Sequence, residues 1–247
     1  MKQDSNTILI TGGASGIGLA LASRWIKAGN KVIIVGRRED KLAEAKTLYP
    51  ELYTYRFDVS KEEERIALFE QITLEHPDVN VLLNNAGVMR FITVDGGEPW
   101  KDTEVELTTN LAAPIHLAAL FTPHLKNNEQ SVILNVTSGL SHVPIASAPV
   151  YSATKAALHS FTLTLRHQLA PYGVQVIEIC PPHTNTDLGI PGANTAGVPL
   201  DEFADAVMES LAQGEEEITY GWSKLTSQGS RAERDEMFKQ LNSAQHV

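Results

Sequence analysis

A tyrosine and a lysine four positions apart, Tyr151 and Lys155, are the residues whose types and spacing suggest chemistry most directly. Side chains four apart lie on one face of a helix, so this spacing places an ammonium near a phenol. A free phenol, with a pKa of about 10, ionises too weakly to be useful near neutral pH, but a nearby positive charge favours the phenolate. We therefore predict an acid/base pair, with the Ser138 hydroxyl holding a substrate oxygen. The alternative is an ordinary amphipathic helix with a surface tyrosine and lysine.

The composition predicts one compact α/β domain over residues 1–247, because 43% of the 247 residues are apolar. The net charge of -10 and the lack of a basic tract argue against nucleic acid as a partner. The single cysteine, Cys180, follows an apolar run and is predicted to be a buried structural thiol. The polar N-terminus and the lack of a long apolar run predict a cytoplasmic protein without a membrane segment. No spacing typical of a metal site occurs, so we expect no metal site among the eight histidines.

A strand, a glycine-rich loop and a helix follow one another at residues 7–11, 12–18 and 19–27. This order is typical of a dinucleotide site, in which glycines admit a pyrophosphate and the helix N-terminus offers N–H groups. Gly12, Gly16 and Gly18 have the spacing Gly-x3-Gly-x-Gly rather than the commoner Gly-x-Gly-x-x-Gly. A tight strand-to-helix turn without a ligand is the alternative.

The second predicted strand, residues 31–35, indicates which dinucleotide would bind. An NAD site usually places an acid at the end of this strand, but here Gly36 is followed by Arg37 and Arg38. Two guanidiniums can bind a 2′-phosphate, and the Ser15 hydroxyl could assist them. We therefore predict that NADP(H) is preferred over NAD(H). The alternative is that both arginines are solvated loop charges.

Alternating strand and helix patterns over the rest of the chain predict a parallel sheet covered by helices on both faces. Asp58-Val59 and Asn84-Asn85-Ala86-Gly87 follow predicted strands, at the edge where such sheets bind ligands. Pro114 lies within a helical pattern over 98–127 and frees the carbonyl of Asn110, which together with the Asn110 side chain could hold a water molecule. A simple kink used for packing is the alternative. The segment 183–198 is rich in Gly, Thr, Asn and Pro, which predicts a lid or substrate-binding loop, and the pattern over 231–241 predicts a charged helix.

These motifs, in this order and spacing, make the chain resemble the short-chain dehydrogenase/reductase family from Thr7 to about Gly221. They are Thr11–Gly18, Asn84–Gly87, Asn110, Ser138 and Tyr151–Lys155. Pro181-Pro182 and the segment 231–235 are similar to the DltE-type oxidoreductases of that family. The resemblance implies a Rossmann-type, doubly wound, single-domain fold and a homodimer or homotetramer. The implied partner is a small-molecule carbonyl or alcohol substrate.

The resemblance also implies roles for individual residues. Tyr151 would exchange a proton with the substrate oxygen, Ser138 would bind that oxygen, Lys155 would bind the nicotinamide ribose and lower the pKa of Tyr151, and Asn110 would hold a water molecule. The implied cofactor-binding residues are Gly12, Ser15, Gly16, Ile17, Gly18, Arg37, Arg38, Asp58, Val59, Asn85, Ala86, Gly87, Tyr151, Lys155, Pro181 and Thr186.

The chain departs from the family pattern at Pro182, where the family usually has glycine, while Thr186 keeps its expected place. The loop path after Pro182 is therefore open, and His183 is interpreted as an exposed loop histidine rather than a substrate contact. An NADP(H)-binding sensor or scaffold without turnover is the alternative function, because a fold does not fix an activity. A dehydratase or epimerase is a third possibility, but the segment after Pro181 leaves little room for a larger substrate domain.

Overall fold

A computed structural model describes residues 1–92, 100–190, 192 and 194–243. Within these ranges, seven parallel strands form one sheet in the order β3-β2-β1-β4-β5-β6-β7. The strands are β1 (Thr7–Thr11), β2 (Lys31–Gly36), β3 (Tyr53–Arg56), β4 (Val81–Asn84), β5 (Val132–Val136), β6 (Gln175–Cys180) and β7 (Glu217–Thr219). The sheet confirms the predicted Rossmann-type α/β fold, because β2 and β3 lie on one side of β1 and β4 to β7 lie on the other.

Helices cover both faces of this sheet. They are α1 (Gly16–Lys27), α2 (Glu39–Leu48), α3 (Glu62–Glu75), α4 (Trp100–Leu107), α5 (Ala113–Leu125), α6 (Pro149–Leu169), α7 (Leu200–Gln213), α8 (Trp222–Gln228) and α9 (Arg231–Ser243). Strand side chains alternate between the faces, so Ile8 and Ile10 pack toward α1 and α7, whereas Leu9 packs toward α3 and α5. The two cores hold the sheet rigid, and its carboxyl edge can therefore position a site.

The predicted helix over 98–127 differs from the structure in a physically informative way. Residues 98 and 99 lie outside the described residues, α4 ends at Leu107, and a π-helical turn at Thr108–Ala112 joins it to α5. Pro114 lies in the first turn of α5, where its missing N–H matters little. The break therefore takes the form of a π turn, a feature that often marks a functional site.

Helix α8 has no counterpart in the sequence prediction, because its seven residues contain few apolar positions. It packs against the chain that follows β5: a Cβ atom on Gly139 would lie 2.8 Å from Trp222 Cζ3. The Ser223 hydroxyl donates to the Cys180 carbonyl at 2.6 Å. Helix α8 thus fixes the segment beside Ser138. The predicted burial of Cys180 is confirmed, since its exposed fraction is 0%.

Gly13 tests how tightly the glycine loop packs on the sheet. A Cβ atom there would lie 2.6 Å from Ile34 Cγ2 and 2.7 Å from Ile34 Cβ. We predict that Gly13→Ala lowers the free energy of unfolding by roughly 1–3 kcal/mol, the usual effect of overpacking a core. Gly36→Ala is the control, because its nearest neighbours would be 3.7 Å away. Urea unfolding measures both, and equal stability of the two variants would contradict the prediction.

Candidate active site

Ser138, Tyr151 and Lys155 are buried together where β5 ends and α6 begins. Their exposed fractions are 8%, 5% and 3%. Pro149 lies in the first turn of α6, so Tyr151 and Lys155 occupy successive turns of one helix face. Lys155 Nζ lies 5.6 Å from the centroid of the Tyr151 ring. The structure therefore brings the three residues together as the sequence predicted.

The electrostatics of this pair differ from the sequence expectation. Burial raises the pKa of Tyr151, and the Ser138 hydroxyl opposes that shift only in part. Burial also lowers the pKa of Lys155 to about 8. The Lys155 ammonium donates to the Val136 carbonyl at 2.7 Å. The net pKa shift of Tyr151 is therefore upward, opposite to the lowering that the sequence predicted, because the loss of water outweighs the effect of the Lys155 charge. The phenol keeps its proton at neutral pH.

Asn110 lies in the π turn and is fully buried, next to Lys155. A Cβ atom on Gly87 would lie 3.5 Å from Asn110 Oδ1 and 3.7 Å from Lys155 Nζ. The Asn110 side chain holds the backbone of Val88, accepting from its N–H at 2.9 Å and donating to its carbonyl at 2.8 Å. The side chain therefore fixes the loop after Gly87. The sequence prediction gave both the carbonyl and the side chain of Asn110 as ligands for a water molecule. Because the side chain is bonded to Val88 and Thr154, the main-chain carbonyl is the group left for that role.

The glycine loop and the end of β4 are packed against each other. A Cβ atom on Gly12 would lie 2.8 Å from Ala86 Cα, and one on Gly18 would lie 2.5 Å from Asn85 Nδ2. Asn85 Nδ2 also donates to the carbonyls of Thr11 and Gly12, both at 3.0 Å. A side chain at Gly12 or Gly18 would therefore collide with Ala86 or Asn85, so packing requires glycine at both positions. The sequence prediction did not include this reason.

The N-terminus of α1 has the features of an anion site that could hold a pyrophosphate. Ser15 stands at the N-cap with extended backbone, yet its hydroxyl makes no capping hydrogen bond and instead accepts from Arg38 at 3.3 Å. The first N–H groups of α1 therefore face the loop without a side-chain cap. Gly16 has a φ of 53°, and a Cβ atom on it would lie 3.5 Å from Thr186. Ile17 packs its side chain against the core, which leaves its N–H as the group available to a ligand.

Four cations surround a cavity of about 370 Å³ beside this loop. Its lining residues are Arg37, Arg38, Arg56, Asp58, Lys61 and Glu64. Burial raises the pKa of Asp58, but hydrogen bonds from Ser60 and the charges of Arg37 and Lys61 outweigh it, so the pKa is lowered. The sequence prediction included both arginines and Asp58. The sequence prediction missed Arg56 and Lys61, because the segments that carry them come next to the cavity only in the folded chain.

Val59 and Pro181 each make a hydrogen bond through the main-chain carbonyl. The Val59 side chain is buried in the core, and its carbonyl accepts from Arg65 at 2.7 Å. The Pro181 carbonyl accepts from the N–H of Gly139 at 2.9 Å, which ties the loop after β6 to the segment after Ser138. These contacts place both residues at the carboxyl edge of the sheet, as predicted.

The predicted substrate loop, residues 183–198, is anchored at both ends by a bridge between Thr184 and Val198. Residues 191 and 193 lie outside the described residues. Asn194 Nδ2 donates to the carbonyls of Thr186 and Leu188 at 2.7 and 2.9 Å. His183 Nε2 lies 3.0 Å from Asn194 Oδ1, so this exposed ring is engaged in loop structure. The interpretation of His183 as a loop histidine agrees with this contact.

Glu106 is a buried carboxyl that the sequence prediction missed. Its exposed fraction is 0%, and its Oε1 accepts from the N–H of Arg90 at 3.2 Å. Its Oε2 has no hydrogen-bond partner among the described residues. Burial raises the pKa of Glu106 to about 7, although the charges of Arg90 and Lys155 act against that shift. The signal in the sequence was its place in α4 one turn before Asn110.

Comparison with known proteins assigns the family. The family model described as short chain dehydrogenase matches residues 6–195. The chain belongs to the short-chain dehydrogenase family. It is 44% identical over 253 residues to the uncharacterized oxidoreductase DltE of Bacillus subtilis, covering 100% of both chains. It is 34% identical to a serine 3-dehydrogenase of Rhizobium radiobacter, covering 74% of each chain. It is 30% identical to the NADP-dependent 3-hydroxy acid dehydrogenase YdfG of Escherichia coli K12, covering 70% of this chain and 71% of that one.

Solved structures agree with this assignment. A short chain dehydrogenase from Burkholderia cenocepacia, in complex with NADP, matches with a TM-score of 0.83 and 26% identity, over 98% of this chain and 99% of that one. A 3-ketoacyl-(acyl-carrier-protein) reductase from Brucella melitensis, complexed with NADH, matches with a TM-score of 0.81 and 26% identity, over 90% and 100%. The chain is thus an oxidoreductase of a family that binds pyridine nucleotides. No helix among the described residues is long and apolar enough to cross a membrane.

Glu106 generates a testable pH dependence. Its pKa is raised from 4.5 to about 7, so between those values the folded protein holds a proton that the unfolded chain releases. Stability therefore falls as pH rises through that window, and the loss persists above it. We predict that the free energy of unfolding of Glu106→Gln, relative to that of the unaltered protein, rises by about 3 kcal/mol between pH 4.5 and pH 8. Urea unfolding at the two pH values measures this.

The control for that measurement is Glu104→Gln, which alters an exposed carboxyl on the same helix. Its stability relative to the unaltered protein should not change between the two pH values. A Glu106→Gln variant that also shows no change would mean that Glu106 is charged in the folded protein throughout.

Proposed function

We propose that this protein transfers a hydride between NADP(H) and a carbonyl or secondary alcohol, with Tyr151 as the acid/base. One observation carries the proposal: Ser138, Tyr151 and Lys155 are buried together, while Asn110 and Lys155 meet at Gly87. A surface tyrosine and lysine on an amphipathic helix would not require this arrangement. A sensor or scaffold protein also has no need of it.

The raised pKa of Tyr151 supports its role in the reductive direction. A phenol that keeps its proton at neutral pH can donate it to a substrate oxygen as negative charge develops there. The Ser138 hydroxyl can hydrogen-bond the same oxygen and stabilise that charge. The bound nicotinamide would supply the hydride in reduction and accept it in oxidation.

Lys155 is proposed to bind the nicotinamide ribose, the role implied by the family resemblance. Its ammonium is held by the Val136 carbonyl at 2.7 Å, and Asn110 keeps Gly87 and Val88 beside it. With a pKa near 8, the group is charged in most molecules at neutral pH. Positive charge near Tyr151 stabilises a phenolate, so Lys155 would stabilise the Tyr151 phenolate that forms when the phenol donates its proton.

The preference for NADP(H) is supported by the cavity that Arg37 and Arg38 line together with Arg56 and Lys61. A 2′-phosphate carries close to two negative charges, and guanidiniums bind it through paired hydrogen bonds. Asp58 and Glu64 lie in the same lining and would limit the net charge there. Relatives with NADP and with NADH both occur, so the preference rests on these side chains.

The substrate class is proposed to include 3-hydroxy acids. Two relatives that match about 70% or more of the chain bear names that specify oxidation at carbon 3, one on serine and one on 3-hydroxy acids. The homodimer or homotetramer and the cytoplasmic location stay predictions from the sequence. A panel of serine, other 3-hydroxy acids, aldehydes and ketones, assayed with NADP(H) and NAD(H), would identify the activity.

The role of Tyr151 is tested by Tyr151→Phe, which removes only the hydroxyl. We predict that turnover of the best substrate falls by about 10²–10⁴-fold, the usual contribution of a general acid. NADPH binding, measured by its fluorescence, should be unchanged. Tyr172→Phe, which alters an exposed tyrosine in the 3-10 turn that follows α6, is the control. Normal turnover by Tyr151→Phe would remove Tyr151 from the mechanism, and failure of every substrate with intact NADPH binding would favour the sensor.

The cofactor preference is tested by Arg37→Asp, which places a carboxylate where the 2′-phosphate would bind. We predict that the ratio of kcat/KM for NADPH over NADH falls at least about tenfold, a change of about 1.4 kcal/mol. Lys27→Asp makes the same charge change at an exposed position on α1 outside the cavity. An unchanged ratio in Arg37→Asp, or an equal fall in both variants, would refute a specific phosphate site.

A further inference from the structure

Three side chains from separate elements meet on the α6 side of the sheet. His142 follows the short 3-10 turn at Gly139–Ser141, His159 lies on α6, and Glu178 lies on β6. Each offers one possible ligand atom, and these atoms all lie within 4.8 Å of one another. Two imidazoles and a carboxylate are a donor set that zinc sites use.

The carboxylate of Glu178 anchors this cluster. It is fully buried, and its Oε2 lies 2.8 Å from His159 Nδ1. The Thr137 hydroxyl donates to its Oε1 at 2.5 Å. A hydroxyl that orients a carboxylate in this way is typical of the support that metal ligands receive from the surrounding protein.

An ion pair between His159 and Glu178 would not by itself explain why His142 lies beside them. The His142 ring contacts the His159 ring edge to face, with centroids 4.7 Å apart. Its Nε2 is buried and has no hydrogen-bond partner among the described residues. A buried ring nitrogen without a protein partner is costly, so a ligand or an ion that pairs with it is favoured here. Burial, reinforced by the nearby charges of His159 and Arg234, lowers the pKa of His142 to about 4, so the ring is neutral at pH 7 and can act as a ligand.

The surrounding charges both favour and oppose a cation. Burial raises the pKa of Glu178, but the hydrogen bonds from His159 and Thr137 and the charges of the two histidines together outweigh it, so the pKa is lowered and the carboxylate is ionised. Glu217 adds a second negative charge near His159. Arg166 and Arg234 are the opposing cations, near His159 and His142 respectively. A bound metal would replace the proton that Glu178 helps His159 to keep.

We propose that His142, His159 and Glu178 form a binding site for a divalent transition metal, with Zn²⁺ as the best match. A tetrahedral ion with bonds of about 2.0–2.1 Å would hold its ligand atoms roughly 3.4 Å apart, so small side-chain rotations close the site. Solvent would take the fourth position. The sequence analysis predicted no metal site, because residues 142, 159 and 178 follow no local spacing and meet only through the packing of α6 on β6.

The test is a zinc titration of the tag-free, full-length protein against a chromophoric chelator. One Zn²⁺ should bind per chain, and His142→Gln should weaken binding at least about tenfold. His167→Gln is the matched control, because His167 is exposed on the same helix as His159 and lies outside the cluster. Should His142→Gln fail to fold, His159→Gln carries the same expected loss.

Substitution with Co²⁺ distinguishes this site from a thiolate site at Cys180. The proposed ligands predict visible absorption typical of tetrahedral nitrogen and oxygen ligation, without an intense thiolate charge-transfer band. Absence of zinc binding, unchanged affinity in the His142 and His159 variants, or a thiolate band would each overturn the proposal.

Discussion

The exclusion of water from the Tyr151–Lys155 pair is the constraint on which the site depends. Both side chains lie between β5 and α6, where burial raises the pKa of the phenol and lowers that of the ammonium. Burial alone disfavours both charged forms, so the neighbouring dipoles decide what the pair can do. The Val136 carbonyl holds the ammonium, and the Ser138 hydroxyl lies beside the phenol. The result is a protonated acid in a dry, preorganised setting.

The parallel sheet produces this setting by joining several strand ends. Thr11 and Asn85 link the ends of β1 and β4 through the Thr11 hydroxyl, which accepts from the N–H groups of Asn85 and Ala86 at 3.0 and 3.1 Å. Asn110 then fixes Val88, and α8 fixes the segment after Ser138. Each link uses buried backbone groups that would otherwise lack partners, so stabilising the fold and building the site are the same set of contacts.

The sequence predicted the sheet, the glycine loop and the Tyr151–Lys155 pair, because each has a local pattern, whereas the roles of Ser138 and Asn110 followed from the family resemblance. Short apolar runs indicate buried strands, and Tyr151 and Lys155 share a helix face by spacing alone. Glu106, Arg56 and the His142–His159–Glu178 cluster had no such pattern, since their roles arise from packing between distant segments. The direction of the Tyr151 pKa shift was also beyond reach, because burial could not be measured from spacing. The π turn at Asn110 was indicated only as a break at Pro114.

A crystal structure with NADP⁺ and the alcohol substrate identified by the panel would test the central claim most directly. The distances from the substrate oxygen to Tyr151 Oη and Ser138 Oγ decide the matter. We expect both to lie within hydrogen-bonding distance, with Lys155 on the nicotinamide ribose and the 2′-phosphate beside Arg37. A substrate oxygen held by other groups, with the phenol turned away from it, would contradict the proposed mechanism.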